Sequence, residues 1–399
     1  MSSPTIKRRR AQARQRARRR RAGALGLVIA LLGIAVIAIA RGTGEGVAHR
    51  QDPAGTKGSR GISARSGGGA RHGHVAAGAS GSLRPGSDPA VLPGPVLIAD
   101  RDNNRLIEVS PQGRVLWRFP ARGDLHRRQT FKLPDDAFFS PGGRKIVVTQ
   151  EDDFVISVID RRRDRIVYRY GHPGVPGSGP DYVHNPDDAM LTPSGDIVVA
   201  DIKNCRVLVI HPPAHHPLRQ LGETGFCEHQ PGLAYGSPNG AFPMFDGGTA
   251  ITEINGDWLD VLSRRGTAAH ATNPPGFTYP SDTNQVRPGL FLSADYTKPG
   301  AIETFTGSGR LRWRYEPRGA EALNQPSLAL PLPGGDILAN DDRNDRVIVI
   351  DPRTNRIVWQ YGHTHVAGSG EGFLSNPDGV DLAPPYSLAE RFGAALRAP

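Results

Sequence analysis

The sequence predicts an all-β fold, a six-bladed β-propeller closed by pairing its last strand with its first, and three observations predict it. A stretch is written twice: Val158 to Asp188 and Val349 to Gly379 align at a constant offset of 191 residues, sharing Asp160/Asp351, Tyr170/Tyr361, Gly171/Gly362, His172/His363 and Asn185-Pro186-Asp187/Asn376-Pro377-Asp378. Repetition of a supersecondary unit means a repeat architecture. A proline followed by a small or acidic polar residue then recurs at Pro134, Pro186, Pro238, Pro280, Pro326 and Pro377, spaced 52, 52, 42, 46 and 51 residues apart. Between these marks, runs of four to six mostly β-branched residues alternate with Gly, Pro, Asp and Asn clusters. Four short strands per 40–50 residues is the period of a propeller blade.

In chain order, the first segment is basic. Residues 1–21 carry Lys7 and nine arginines with no acid. Removing these ten from the 49 basic residues leaves 39 against 39 acidic ones, so the body of the chain is neutral. The basic balance therefore argues for no nucleic acid partner of the folded part. Residues 22–40, AGALGLVIALLGIAVIAIA, hold nineteen residues without a charge. As a helix they would span roughly 30 Å, the thickness of a bilayer core. The basic flank puts the N-terminus in the cytoplasm and the remainder outside, which predicts a single-pass signal anchor in the cell membrane. A cleaved signal peptide is the alternative, since Ala38-Ile39-Ala40 has the small-residue pattern of a cleavage site. Residues 41–95 are rich in Gly, Ser, Ala and Arg without an apolar period, and read as a flexible linker.

The propeller should occupy 96–385. The segment from Val96 supplies three strands and lacks a leading one, while Gly379–Leu382 is a leading strand with nothing after it. Pairing the two closes the ring and removes free sheet edges. The unit beginning at Pro280 is the least regular. Residues 386–399 read as an amphipathic helical turn or two outside the ring. Cys205 and Cys227 fall in two loops that open on the same face of one blade, so a disulfide is predicted in an oxidising compartment. Closing that loop is worth about 3 kcal/mol on the chain-entropy model.

A turn motif, Asp-x-x-Asn-x-Arg, recurs as Asp100/Asn103/Arg105, Asp201/Asn204/Arg206 and Asp341/Asn344/Arg346. With the Gly-Ser-Gly…Asn-Pro-Asp loops, it resembles NHL-repeat propellers. The segment V-I-D-P-R-T-N-R-I-V-W-Q-Y is similar to quinoprotein-type (PQQ-like) repeats, whose last strand carries a tryptophan. The resemblance covers about 96–385 and implies the fold; the same fold hosts many functions. Recurrence of the turn motif in three blades argues that it is blade architecture.

Chemistry is expected on one face. The Gly-His loops, the Asp-x-x-Asn-x-Arg turns and the starts of the innermost strands open there together. They gather His172, His363, His365, His184 and His229, with Asp135, Asp136, Asp187, Asp188, Asp282 and Asp378 around the channel mouth. Converging carboxylates suit Ca²⁺ and imidazoles suit Zn²⁺. A metal set of His172, His363, Asp187, Asp378, Asp135 and Asp136 is therefore one expectation. Fixing the turns, with each Asp bonding its own backbone, is the other. Enzymes that resemble this fold, peptidyl-hydroxyglycine lyases and lactonases, hold metal in that position, which would imply a metal-dependent lyase or hydrolase. Likeness to arylsulfotransferases would make His126, beside Arg127 and Arg128, a reactive histidine, with His172 and His363 as further catalytic candidates. Binding of PQQ itself is not expected, because Trp117, Trp313 and Trp359 fall on outer strands. The leading expectation is an extracytoplasmic binding or interaction module for a protein, peptide or glycan; the enzyme is the alternative.

Overall fold

The computed structural model describes residues 83–126, 128–396 and 399. They form six four-stranded antiparallel sheets. Blade 1 runs from its inner strand Pro377–Leu382 through Val96–Asp100 and Arg105–Val109 to Val115–Phe119 at the rim. Blades 2 to 6 follow in chain order, with inner strands Ala137–Phe139, Pro186–Leu191, Pro238–Pro243, Pro280–Arg287 and Ala329–Pro331. Inner strands of successive blades pack on one another around a common axis.

The ring closes as predicted. Val96 pairs with Leu382, Leu97 with Asp381 and Ile98 with Val380, antiparallel. Closure thus gives blade 1 its fourth strand, and each of the six described blades has four. The second and third strands are buried on both faces, as in Ile197–Asp201 and Arg206–Ile210, because each blade lies between two neighbours. That is why these strands read as continuous β-branched runs and not as alternating ones. Pro280–Arg287 carries two register shifts, in keeping with the irregular sequence of blade 5.

Neighbouring blades are also locked at the rim. Trp117 Nε1 donates to Asp164 Oδ1 at 2.8 Å, Trp313 Nε1 to Asn355 Oδ1 at 2.7 Å and Trp359 Nε1 to the Pro111 carbonyl at 2.8 Å. Each acceptor lies in a turn of the next blade. Tyr168 takes the same place in blade 2, its hydroxyl donating to the Ala214 carbonyl at 2.6 Å. The three indoles thus bridge blades at the rim, away from the channel mouth.

Two expectations change. Residues 83–95, taken as the end of the linker, lie along the rim strand Arg356–Gly362. Arg84 N donates to Gln360 O and Asp88 N to Val358 O, and Leu83 bridges to Tyr361. Backbone pairing, which composition does not reveal, fixes this piece. The tail, placed outside the ring, instead packs on it. Helix α1, Leu388–Phe392, is capped by Ser387 and buries Leu388, Ala389 and Phe392 in the largest hydrophobic cluster. Arg391 donates to the Gln285 and Val286 carbonyls, and Leu388 N donates to Asp381 Oδ1 at 2.9 Å. The helix covers the ends of the inner strands opposite the acidic mouth. The basic segment 1–21, the apolar segment 22–40 and the linker up to residue 82 lie outside the described residues. Among the described residues no helix is long and apolar enough to cross a membrane.

Candidate metal centre

At the head of each inner strand, directly after its proline, stands a polar residue; in blades 2 and 6 the strand itself begins two residues later. In ring order these are Asp135, Asp187, Asn239, Ser281, Ser327 and Asp378, and all six line the cavity at the channel mouth. The proline series of the sequence is thus the series of strand starts, and the residue after each proline forms one tier. The next tier is Asp136, Asp188, Gly240, Asp282, Leu328 and Gly379. Its glycines make room for its acids. A Cβ at Gly240 would lie 2.5 Å from Asp188 Oδ2, and one at Gly379 2.6 Å from Asp136 Oδ1.

Carboxylates crowd here. Asp135, Asp136 and Asp187 bring oxygens within 4.8 Å of one another, as do Asp136, Asp188 and Asp282, so Asp136 belongs to both groups. Asp136, Asp188 and Asp282 are 2 %, 0 % and 1 % exposed. Neither oxygen of Asp188 has a hydrogen-bond donor, and Asp136 Oδ1 has none. Burial first, and then neighbouring carboxylates, push Asp135, Asp136, Asp187 and Asp188 well above the usual carboxylate range. Burial lifts Asp282 to about 7.

One cation answers part of this charge. Arg101 follows the last residue of the second strand in blade 1. It pairs with Asp135, with Asp378 at 3.5 Å, with Glu151 at 3.3 Å and with Asp152 at 2.5 Å. Asp136, Asp187, Asp188 and Asp282 have no ion pair among the described residues. Turn-fixing accounts for some of the polar contacts: Asp187 Oδ1 accepts from Asp188 N at 3.0 Å, and Ser327 Oγ donates to Asp378 Oδ1 at 2.9 Å. It does not account for Asp188. The donors facing the cavity are all oxygens apart from the Asn239 amide, which suits a hard cation of the Ca²⁺ type.

The histidines go elsewhere. His172 is half-buried, 3.4 Å from Asp181 Oδ2, with its ring on Tyr182 at 4.3 Å. His363 is exposed and lies on Phe373 at 4.4 Å. Their backbones close the two repeated loops: Val175 N donates to His172 O and Val366 N to His363 O. Neither joins a cluster of His, Cys, Asp or Glu ligand atoms within 4.8 Å among the described residues. The expected metal set is therefore split, its aspartates at the mouth and its imidazoles in the loops. The preceding glycines, Gly171 at φ 93° and Gly362 at φ 91°, leave no room for a Cβ against the Phe154 and Asp345 carbonyls. His126 is exposed in the turn before Pro134, and His184 sits edge-on to Phe154.

The repeated Asp-x-x-Asn-x-Arg turns form one clamp used three times. Asn103 donates to both oxygens of Asp100, and Arg105 Nε to Asp100 Oδ2 at 2.6 Å. The same Asn and Arg reach the carbonyls of Gly368, Ser369 and Phe373 in the incoming loop. Asn204 and Arg206 do this around Asp201 for the loop at Gly177–Tyr182, and Asn344 and Arg346 around Asp341 for the loop at Glu321–Ala322. Each blade carrying the motif thereby grips the loop that feeds it. Cys205 and Cys227 form a disulfide with Cα atoms 5.1 Å apart.

Sequence reasoning missed Arg101, Glu151, Tyr279 and Tyr296 at the mouth. The first two and Tyr296 directly follow the residue ending a second strand, at Asp100, Gln150 and Asp295. Aligning all six blades on that strand would have found them.

No family model matches the chain, and no curated protein matches it in sequence. Among solved structures it is similar to a protein of unknown function from Bacteroides caccae, at 13% identity over 72% of this chain and 98% of that one, with TM-score 0.50. At that identity the likeness is one of fold. Others are a streptogramin B lyase (15% identity, 73% and 87% covered, TM-score 0.48) and a catalytically inactive virginiamycin B lyase from Staphylococcus aureus with quinupristin (15%, 70% and 86%, TM-score 0.46).

Proposed function

We propose that this chain is a membrane-tethered, extracytoplasmic propeller of the NHL/PQQ-like kind that holds a Ca²⁺-type cation at its channel mouth. The loaded mouth binds a ligand bearing anionic or carbonyl oxygens, such as a peptide or glycan. Asp136, Asp187, Asp188 and Asp282 hold the cation. One observation carries this: both oxygens of the fully buried Asp188 lack a donor, and the polar side chain grouped with them on either side is another carboxyl. A buried anion without a partner is costly, and a divalent cation shared among several removes that cost. The tether rests on the uncharged segment 22–40 and its basic flank, which argue for the N-terminus in the cytoplasm. With its basic excess confined to residues 1–21, the propeller is not proposed to meet nucleic acid.

Calorimetric titration of chelator-treated full-length protein with Ca²⁺ tests the reading. Binding near one equivalent is expected, weakened at least about tenfold, or 1.4 kcal/mol, in Asp188→Asn and Asp187→Asn. Wild-type protein that takes up no Ca²⁺, or variants that bind as wild type does, would sink it.

A second reading, a metal-dependent lyase or hydrolase, is favoured by Tyr279 and Tyr296. Their rings lie 5.4 Å apart beside the mouth. Burial, then nearby carboxylates, raise both phenols, so each keeps its proton at neutral pH and can serve as a hydrogen-bond donor or general acid to a ligand at the mouth. Turnover lost in Tyr279→Phe or Tyr296→Phe with Ca²⁺ binding intact would favour the enzyme over the binding module.

A further inference from the structure

Blade 4 breaks the clamp pattern at a buried cluster. The register pairs Asp100 with Arg105, Asp201 with Arg206 and Asp341 with Arg346. At the same place Glu253 pairs with Trp258, so the arginine is absent. Two residues further along, the three clamp-bearing blades bury Ile107, Leu208 and Ile348, and blade 5 buries Glu303 paired with Arg314; blade 4 buries Asp260 at 0 % exposure with no arginine partner among the described residues. A second carboxylate has thus entered the core where a guanidinium has left it.

The geometry around these two acids is that of a ligand set. No side-chain donor reaches either oxygen of Asp260; the Gly232 N–H, short of full hydrogen-bond geometry, is the one backbone group that offsets its charge among the described residues. Glu253 gives one oxygen to the Gly236 N–H and turns the other to His229 Nδ1 at 2.9 Å. His229 comes from the loop entering the blade, two residues after Cys227. Its Nδ1 stands 3.9 Å from Asp260 Oδ1. The imidazole lies flat on Trp258, centroids 4.2 Å apart and 7° between planes, which fixes its orientation. One ligand atom from each of the three residues falls within 4.8 Å of the other two. Ligands bound at 2.0–2.1 Å in a tetrahedron stand about 3.3 Å apart, between the two separations from Nδ1.

We propose that blade 4 carries a second metal site, for a Zn²⁺-class transition-metal ion, on His229, Glu253 and Asp260. The ion replaces the arginine that neutralises the equivalent acid in the three clamp-bearing blades. One nitrogen and two carboxylates select a borderline metal over Ca²⁺, and three protein ligands leave a fourth position open. This site shares no residue with the mouth.

The test is metal binding by chelator-treated full-length protein, read with Zn²⁺ and with Co²⁺, whose visible absorption reports a low-coordinate site. Wild type should bind one equivalent of Co²⁺ with visible bands and quench Trp258, and Zn²⁺ should displace it. Asp260→Leu, the residue type blade 3 uses, and His229→Ala should each weaken that binding at least about 100-fold while leaving Ca²⁺ uptake at the mouth unchanged. Asp188→Asn should leave Co²⁺ binding intact. If Asp260→Leu does not fold, Asp260→Asn carries the same expectation. Wild-type protein without stoichiometric Co²⁺ or Zn²⁺, or variants with wild-type Co²⁺ spectra and affinity, would overturn the proposal. A simple proton on Asp260 would then neutralise the cluster.

Discussion

Asp201 and Asp188 lie in the same blade, and both are fully buried. Asp201 accepts from Asn204, Arg206 and His184 N; Asp188 accepts from no donor. Burial raises both carboxyls. Around Asp201 a guanidinium, a backbone N–H and an amide oppose the rise, whereas around Asp188 further carboxyls add to it. Burial of an acid therefore does not distinguish scaffold from site in this protein; the partners do. A carboxylate whose lone pairs are all taken holds two pieces of chain together, and one whose lone pairs are free is waiting for a cation or a proton.

The largest break in that contrast would come from Arg206→Met, which strips the buried Asp201 of its only guanidinium partner among the described residues and leaves it the Asn204 amide and the His184 N–H. Removing one member of a buried pair costs about 3–5 kcal/mol. Chemical denaturation should register it as a lower midpoint at constant slope, and a loss under about 1 kcal/mol would mean that the clamp does not carry the blade. Next comes pH. Asp282 and Asp381, both about 7 in the fold, and the other ring acids, raised well above the usual carboxylate range, all exceed their unfolded values. The folded state then binds more protons at these groups, so their contribution to stability is complete below about pH 4 and is lost as pH rises through 7. Cation-free protein should melt several degrees lower at pH 8 than at pH 5, and saturating Ca²⁺ should remove most of the difference. A melting point flat in pH without cation would contradict the raised carboxyls. The smallest effect should come from Asn103→Ala, which removes donors to Asp100 and to the Gly368 carbonyl. Arg105 and Ser375 N remain on Asp100, so about 1 kcal/mol is expected by calorimetry. A cost like that of Arg206→Met would mean that the amide, not the guanidinium, dominates the clamp.

The fold was legible because its signals are local and repeated. Prolines mark the inner strand starts, Asn185 and Asn376 sit at positive φ before two of them, and β-branched runs supply the interior. Closure followed from one missing strand and one extra. The site was legible by half. Its aspartates follow the same prolines, but Arg101, Glu151 and Tyr296 come from a second tier whose residue type changes from blade to blade. His172 and His363 attract attention because they repeat, and a residue repeated with its loop serves the loop. The opposite signal marked blade 4: Trp258 and Asp260 stand where the pattern asks for arginine and an aliphatic residue. Backbone pairing of residues 83–95 and docking of α1 leave no periodic trace.

Helix α1 does more than end the chain. Phe392 lies against Phe245 of blade 4 and Arg391 is anchored on Gln285 and Val286 of blade 5, while Leu388 N meets Asp381 of blade 1 and Glu390 accepts from Gly142 N of blade 2. One short tail thus ties together blades that share no sheet contact, so trimming it should loosen the ring across its diameter and not at one seam.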